Sequence, residues 1–254
     1  MVSFGKDGKR AGWLIRGTRH KFLIEVGTSL TELMFAIAAG FIVLGATLQS
    51  LSYFQHQFMK QQREVAQRQD LRLGLEVFEQ ELRLAEAGSL TTMAPDSVEF
   101  LANLQGFTTT VTTPAAVGQT ALSVEDGRGW GDRKAIEACW SASCEMLVLD
   151  RDGQRSLLTV AQPLTRAIPS GASISLLNRV RYYNRRDDQG VLRLLRQVDG
   201  GASVLVGNIR EVRFSYWGES GQAVTEPTQV RRVIVEVTLS DQAIRAVREI
   251  SLRT

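Results

Sequence analysis

The chain has 254 residues, a formal net charge of +3 and a pI near 9.1, with 44% hydrophobic and 22% charged residues. That is room for one ordinary domain plus a long helix, and crowded for two cores. The basic character is local: residues 1–27 hold Lys6, Lys9, Arg10, Arg16, Arg19 and Lys21 against Asp7 and Glu25, a surplus of four that exceeds the overall +3 and leaves the rest of the chain at −1. A nucleic-acid footprint is thereby excluded. The two histidines, His20 and His56, both precede the β-rich part, which excludes a His-dependent triad or a His-rich metal site there.

In chain order the first informative stretch is Gly27-Thr28-Ser29-Leu30-Thr31-Glu32-Leu33-Met34. From Leu33 to Met59 there is no Asp, Glu, Lys or Arg, and Leu33 to Leu48 is almost wholly apolar, enough for a membrane span once its flanks are counted. A carboxylate at the mouth of such a run costs about 2.5–3.5 kcal/mol on insertion scales, so Glu32 is expected to have a function and a partner. The basic flank predicts that the N-terminal side stays cytoplasmic and that the chain beyond residue 52 lies outside.

These residues resemble the type IV prepilin signature: a basic leader ending in Gly, cleavage after it, and Glu as the fifth residue of the mature chain, ahead of an apolar helix. With Thr28 as first mature residue, Glu32 is fifth, and Leu30, Leu33 and Met34 stand where the family has Leu, Leu and Met. The chain departs from the pattern at Thr28, where the family usually has Phe, and at Thr31, where it has an aliphatic residue. The resemblance implies processing at Gly27 and Thr28 by prepilin peptidase, and assembly through Glu32 with other pilin or pseudopilin subunits. It also implies a single-pass inner-membrane protein with a periplasmic C-terminal head, filament-associated after assembly. An ordinary signal anchor that carries a Glu is the alternative.

After Gly27, glycine occurs before Gly88 only at Gly40, Gly45 and Gly74, and no proline occurs before Pro95, which predicts a continuous helix over 30–87. Leu71, Leu75, Phe78, Leu82 and Ala85 define one apolar face, to be packed on the protein's own head, and Glu64/Arg68 and Glu79/Arg83 support the wet face. Upstream, Ala36, Gly40 and Gly45 allow close helix approach in lipid, or are passive.

From residue 95 the period changes from 3.6 to 2. Strands are predicted at 98–101, 121–124, 145–149, 156–160, 173–176, 180–183, 191–197, 212–217 and 230–239, with 250–252 a further candidate. Asp152-Gly153, Asp187 to Gly190 and Gly218 to Gly221 read as hairpin turns. The expectation is an α+β protein: a cleaved leader over 1–27, a membrane-spanning, filament-core helix over 28–54, an amphipathic stalk over 55–88, and an antiparallel β head over 89–254. Cys139 and Cys144 read either as a disulfide, suited to an oxidising compartment, or as two free buried thiols.

The residues Phe78 to Ala85, and the tail containing Leu205 to Asn208, Val212 to Tyr216 and the Val-rich run to Leu239, are similar to minor pilins of the PilW kind and to the J-type minor pseudopilin of type II secretion. The acidic loop Glu125 to Asp132 has oxygens that calcium uses but no full ligand spacing. No enzyme activity, cofactor or metal is expected. The different-class alternative is a membrane-anchored periplasmic binding module that never polymerises.

Overall fold

The computed structural model describes residues 29–86, 88–141, 143–240 and 244–253; the expected cleavage site at Gly27 and Thr28 lies outside them. Helix α1 runs over Leu30–Leu82. Ser29 stands at its N-cap, its carbonyl accepting from the N–H groups of Glu32 at 2.9 Å and Leu33 at 3.2 Å, and its Oγ from the Glu32 N–H at 3.4 Å. Ser29 and Glu32 thus have capping-box spacing, and a carboxylate in the first turn suits the helix dipole.

The chain divides into two compact units, Met1–Met59 and Lys60–Thr254. In the first, the described part of α1 is exposed throughout, including Phe35, Phe41, Ile42, Phe54 and Phe58. The helix is long and apolar enough, by length and composition, to cross a membrane. Around Gly40 and Gly45 there is open space.

In the second unit the rest of α1 buries Leu71, Gly74, Leu75, Phe78 and Leu82, the stripe read from the sequence with one glycine added. The helix stops at Leu82, short of the expected residue 87. Arg83 N–H still bonds Glu79 O, but the N–H groups of Leu84 and Ala85 turn to Glu81 O and Leu82 O, both at 3.1 Å, the tightening of a last turn. Ala85 is wholly buried, its carbonyl accepts the Arg253 N–H at 3.2 Å, and Glu86 bridges Arg253 in parallel. Pairing with the C-terminal segment has displaced the helical bonds.

The strands are β1 (Leu90–Ala94), β2 (Ser97–Ala102), β3 (Thr108–Thr110), β4 (Ala121–Ser123), β5 (Ala135–Trp140), β6 (Ser143–Val148), β7 (Leu157–Thr159), β8 (Ser173–Arg186), β9 (Leu192–Val198), β10 (Gly201–Trp217), β11 (Arg232–Leu239) and β12 (Arg245–Ser251). Ten form one antiparallel sheet along β1-β2-β8-β9-β10-β11-β12, with β3 and β5 joined to the first half of β8 and β6 joined to β5; β4 pairs with β7 apart. The two strands predicted at 173–176 and 180–183 are one. Asn178 interrupts the apolar alternation between them, yet it is buried in register, giving a 2.7 Å hydrogen bond to Asp199 Oδ2 and taking one from Leu104 N–H. Residues 212–217 likewise end the long β10, whose continuity is hidden by register shifts around Val206 and Ile209 and by Asn208 at φ +51°.

Two apolar cores result. Leu75, Phe78 and Leu82 meet Phe100, Tyr182, Phe214, Val233, Val235 and Val237 in one; Val124, Trp130, Ile136, Leu149, Leu158 and Ile174 form the other. β8 serves both, giving Val180 and Tyr182 to the first and Ile174 and Leu176 to the second.

Candidate functional site

The residues singled out from the sequence stand in separate places. Glu32 is exposed in the first turn of α1. Its local hydrogen bonds belong to helix capping, so the first unit presents a carboxylate at the head of an uncharged apolar surface extending to Met59. A surface of that size needs a cover other than water.

In the second unit, α1 is fixed on the sheet by an aromatic joint and a polar one. The Phe78 ring meets Tyr182 edge-on at 4.7 Å and Phe214 at 5.8 Å, and Tyr182 stacks near Phe100. One turn on, Glu81 receives both its carboxylate oxygens' bonds from the Arg196 guanidinium, with Nε at 2.9 Å from each, and Oε2 also accepts the Tyr182 hydroxyl. Burial first, then the bond to Glu81, pushes the Tyr182 hydroxyl well above its ordinary range, so it remains a donor at all working pH values. Charge-assisted, bidentate geometry of this kind fixes orientation as well as adding energy, and here it sets the rotation of the helix on the sheet. Gly74 sets the distance: a Cβ there would lie 2.6 Å from Val206 Cγ2 and 3.3 Å from Leu205 O. No sequence signal marks the Tyr182–Glu81–Arg196 set, in which Glu81 lies 101 residues from Tyr182 and 115 from Arg196. Gly74 had one, a lone glycine inside an otherwise regular apolar stripe.

Cys139 and Cys144 are directly opposite in the β5–β6 hairpin, with Cα atoms 4.1 Å apart, and are joined by a disulfide. Among the described residues the group with metal-ligand proximity is Glu137 with these two sulfurs, and the bridge occupies both. Glu137 is pushed above the ordinary carboxylate range by burial and by the nearby charge of Glu86. In the acidic loop, Asp126 is held well below that range by Arg128, whose guanidinium and backbone N–H both bond it. The loop's backbone is tied instead to the 152–154 turn: Gly153 N–H bonds Trp130 O at 2.8 Å and Asp132 N–H bonds Asp152 Oδ1 at 2.8 Å.

The outer face of the sheet carries a groove of 740 Å³ floored by Leu101, Leu177, Met146 and Val148. Three ion pairs flank it, Glu99 with Arg179 at 2.9 Å, Asp132 with Arg133 at 3.3 Å, and Asp199 with Lys134, and Arg181 lies over the Tyr183 ring. Burial would raise the Asp199 carboxyl, but Lys134, Asn178 and the Arg179 N–H outweigh it and hold it low. Chemically this face offers apolar contact flanked by ion pairs, the makings of a surface for an extended chain. No protein-family model matches the sequence, and comparison with curated proteins gives no match.

Proposed function

We propose that the chain is a minor pilin or pseudopilin, processed by prepilin peptidase after Gly27 and assembled as a structural, non-catalytic subunit of a type IV pilus-like filament, in priming, at the tip or in assembly. The observation that carries the reading is the register of Gly27, Glu32 and the uncharged run to Met59. Cleavage frees the Thr28 amine. In the apolar setting of bundled helices an uncompensated amine and an uncompensated carboxylate are each costly, so Glu32 of one subunit pairs with the amine of its neighbour and selects the register. The inner membrane holds the subunit until then, with the head on the periplasmic side. A subunit of a retractile pilus and a type II secretion pseudopilin share this N-terminus, and gene neighbourhood separates them.

Intact-mass measurement of protein from a host with prepilin peptidase is expected to give a chain beginning at Thr28; a chain beginning at Met1 would sink the reading. The role of Glu32 is separated from capping by Glu32→Gln, since Gln also serves a capping box but lacks the charge. The variant is expected to be cleaved and inserted normally and to be missing from sheared filaments. A second reading, a membrane-anchored binding module, is favoured by the groove on the head; it requires the wild-type chain itself to stay out of filament fractions.

A further inference from the structure

Strand β12 ends the large sheet, and its pairing with β11 determines which of its backbone groups are committed. Leu252 N–H donates to Arg231 O at 2.8 Å and Leu239 N–H to Ile244 O at 3.0 Å, in a register that runs from Arg232 opposite Ser251 to Thr238 opposite Arg245. Bonded and non-bonded pairs alternate along an antiparallel ladder. Ala246, Arg248 and Ile250 therefore turn their backbone groups to β11, and Arg245, Val247 and Glu249 turn theirs outward. Just past the strand the same outward parity is in use, where Arg253 N–H donates to Ala85 O and pairs with Glu86. Between 245 and 249, among the described residues, the outward groups have no backbone partner; the Val247 carbonyl has a 3.5 Å approach from Arg248 Nη1. All three residues are exposed, Val247 by 45%.

Charges on an edge strand ordinarily prevent indiscriminate pairing. Here they are ordered. Arg245 is paired sideways with Glu236 of β11, and Glu249 with Arg232 at 2.6 Å. A strand added outside β12 continues these rows with alternating sign only if it puts a carboxylate beside Arg245 and a cation beside Glu249; the reverse arrangement sets like charges together in both rows. The exposed Val247 between them calls for a β-branched partner.

We propose that the open edge of β12 pairs with β12 of a second copy of the chain as an added antiparallel strand centred on Val247, so that Arg245 of each copy stands opposite Glu249 of the other. Backbone bonds supply the affinity and the two charge rows the register and selectivity. The assignment does not depend on the filament reading.

The order Arg245, Val247, Glu249 has the required pattern when read antiparallel, so the β12 sequence is itself the probe. A dye-labelled peptide Arg-Ala-Val-Arg-Glu-Ile-Ser is titrated against the full chain in detergent by fluorescence anisotropy, beside the charge-exchanged peptide Glu-Ala-Val-Arg-Arg-Ile-Ser. The first is expected to bind about tenfold more tightly, from two cross-strand pairs made in one case and opposed in the other. Val247→Pro removes an outward N–H and no ladder bond, the placement at which edge strands tolerate proline; it is expected to abolish binding with the near-UV circular dichroism unchanged. Equal affinity for the two peptides, or binding retained by Val247→Pro, overturns the proposal. The wild-type chain is expected to sediment as a dimer and Val247→Pro as a monomer; a monomeric wild-type chain overturns the proposal as well.

Discussion

Replacing Phe78 by Ala tests whether the outer half of α1 is part of the head's own core. Phe78 is 1% exposed, so its whole ring is removed from the core, and with it the contacts at 4.7 Å to Tyr182 and 5.8 Å to Phe214. Burial loss and the cavity left behind together cost about 3–5 kcal/mol for a buried Phe, of which the aromatic pairs account for about 0.5–1.5 kcal/mol each. The sheet around the ring is antiparallel and continuous, and Gly74 already brings the helix as close as it can come, so collapse into the cavity recovers little. For a unit of this size each kcal/mol moves the midpoint by about 2–4 °C, which gives an expected fall of about 6–20 °C. The assay is thermal unfolding of the full chain in detergent, followed in the near ultraviolet, where the Phe78 and Tyr182 surroundings report tertiary packing. Gln69→Ala, on the exposed side of the same helix, is the control and is expected to change the midpoint by about 1–2 °C, as surface substitutions do. Equal midpoints for the two variants would show that the stripe is kept for another subunit and that the docked helix is not the stable state.

Gly74→Ala sets about 1 kcal/mol of gained helix propensity against about 1–3 kcal/mol of overpacking on Val206 and Leu205; a net loss is expected in denaturant melts, with Val206→Ala restoring most of it. Asp199 is held below its ordinary value of 3.8, so it contributes stability that is present above that pH and is lost as pH falls through its lower folded value. Asp199→Asn, which tolerates the φ of +50° there, is expected to cost about 1 kcal/mol at neutral pH and nothing in acid, and a pH-independent difference would refute the charge argument. Alkylation of the denatured, unreduced chain is expected to leave Cys139 and Cys144 unlabelled, and reduction to lower the midpoint modestly, since closing so short a loop contributes about 2 kcal/mol.

What is local is legible in the residues alone. The steps of three and four between Leu71, Leu75, Phe78 and Leu82 name the buried face of α1 because helical geometry repeats every 3.6 residues whatever the helix packs against. The alternation of Val233, Val235, Val237 and Leu239 names the inner face of β11 for the same reason at period 2. The uncharged run after Glu32 is likewise legible from composition alone, and the filament proposal rests on the resemblance of Gly27 to Met34 to the prepilin signature. Features that depend on which segment pairs with which are set by long-range packing. Helix α1 ends at Leu82 because Ala85 and Glu86 bond to Arg253, 168 and 167 residues further along, a competitor that no local pattern contains. β8 crosses two cores without a break because Asp199, arriving from the next hairpin, satisfies the buried Asn178. β5 has no periodic signal of its own because its buried Ile136 and Ala138 are too few to set a period, and it is held by partners on both sides. The Tyr182–Glu81–Arg196 set and the open edge of β12 follow from strand order, and strand order is fixed by which apolar faces cover one another, a free energy of the whole sheet that no single segment carries.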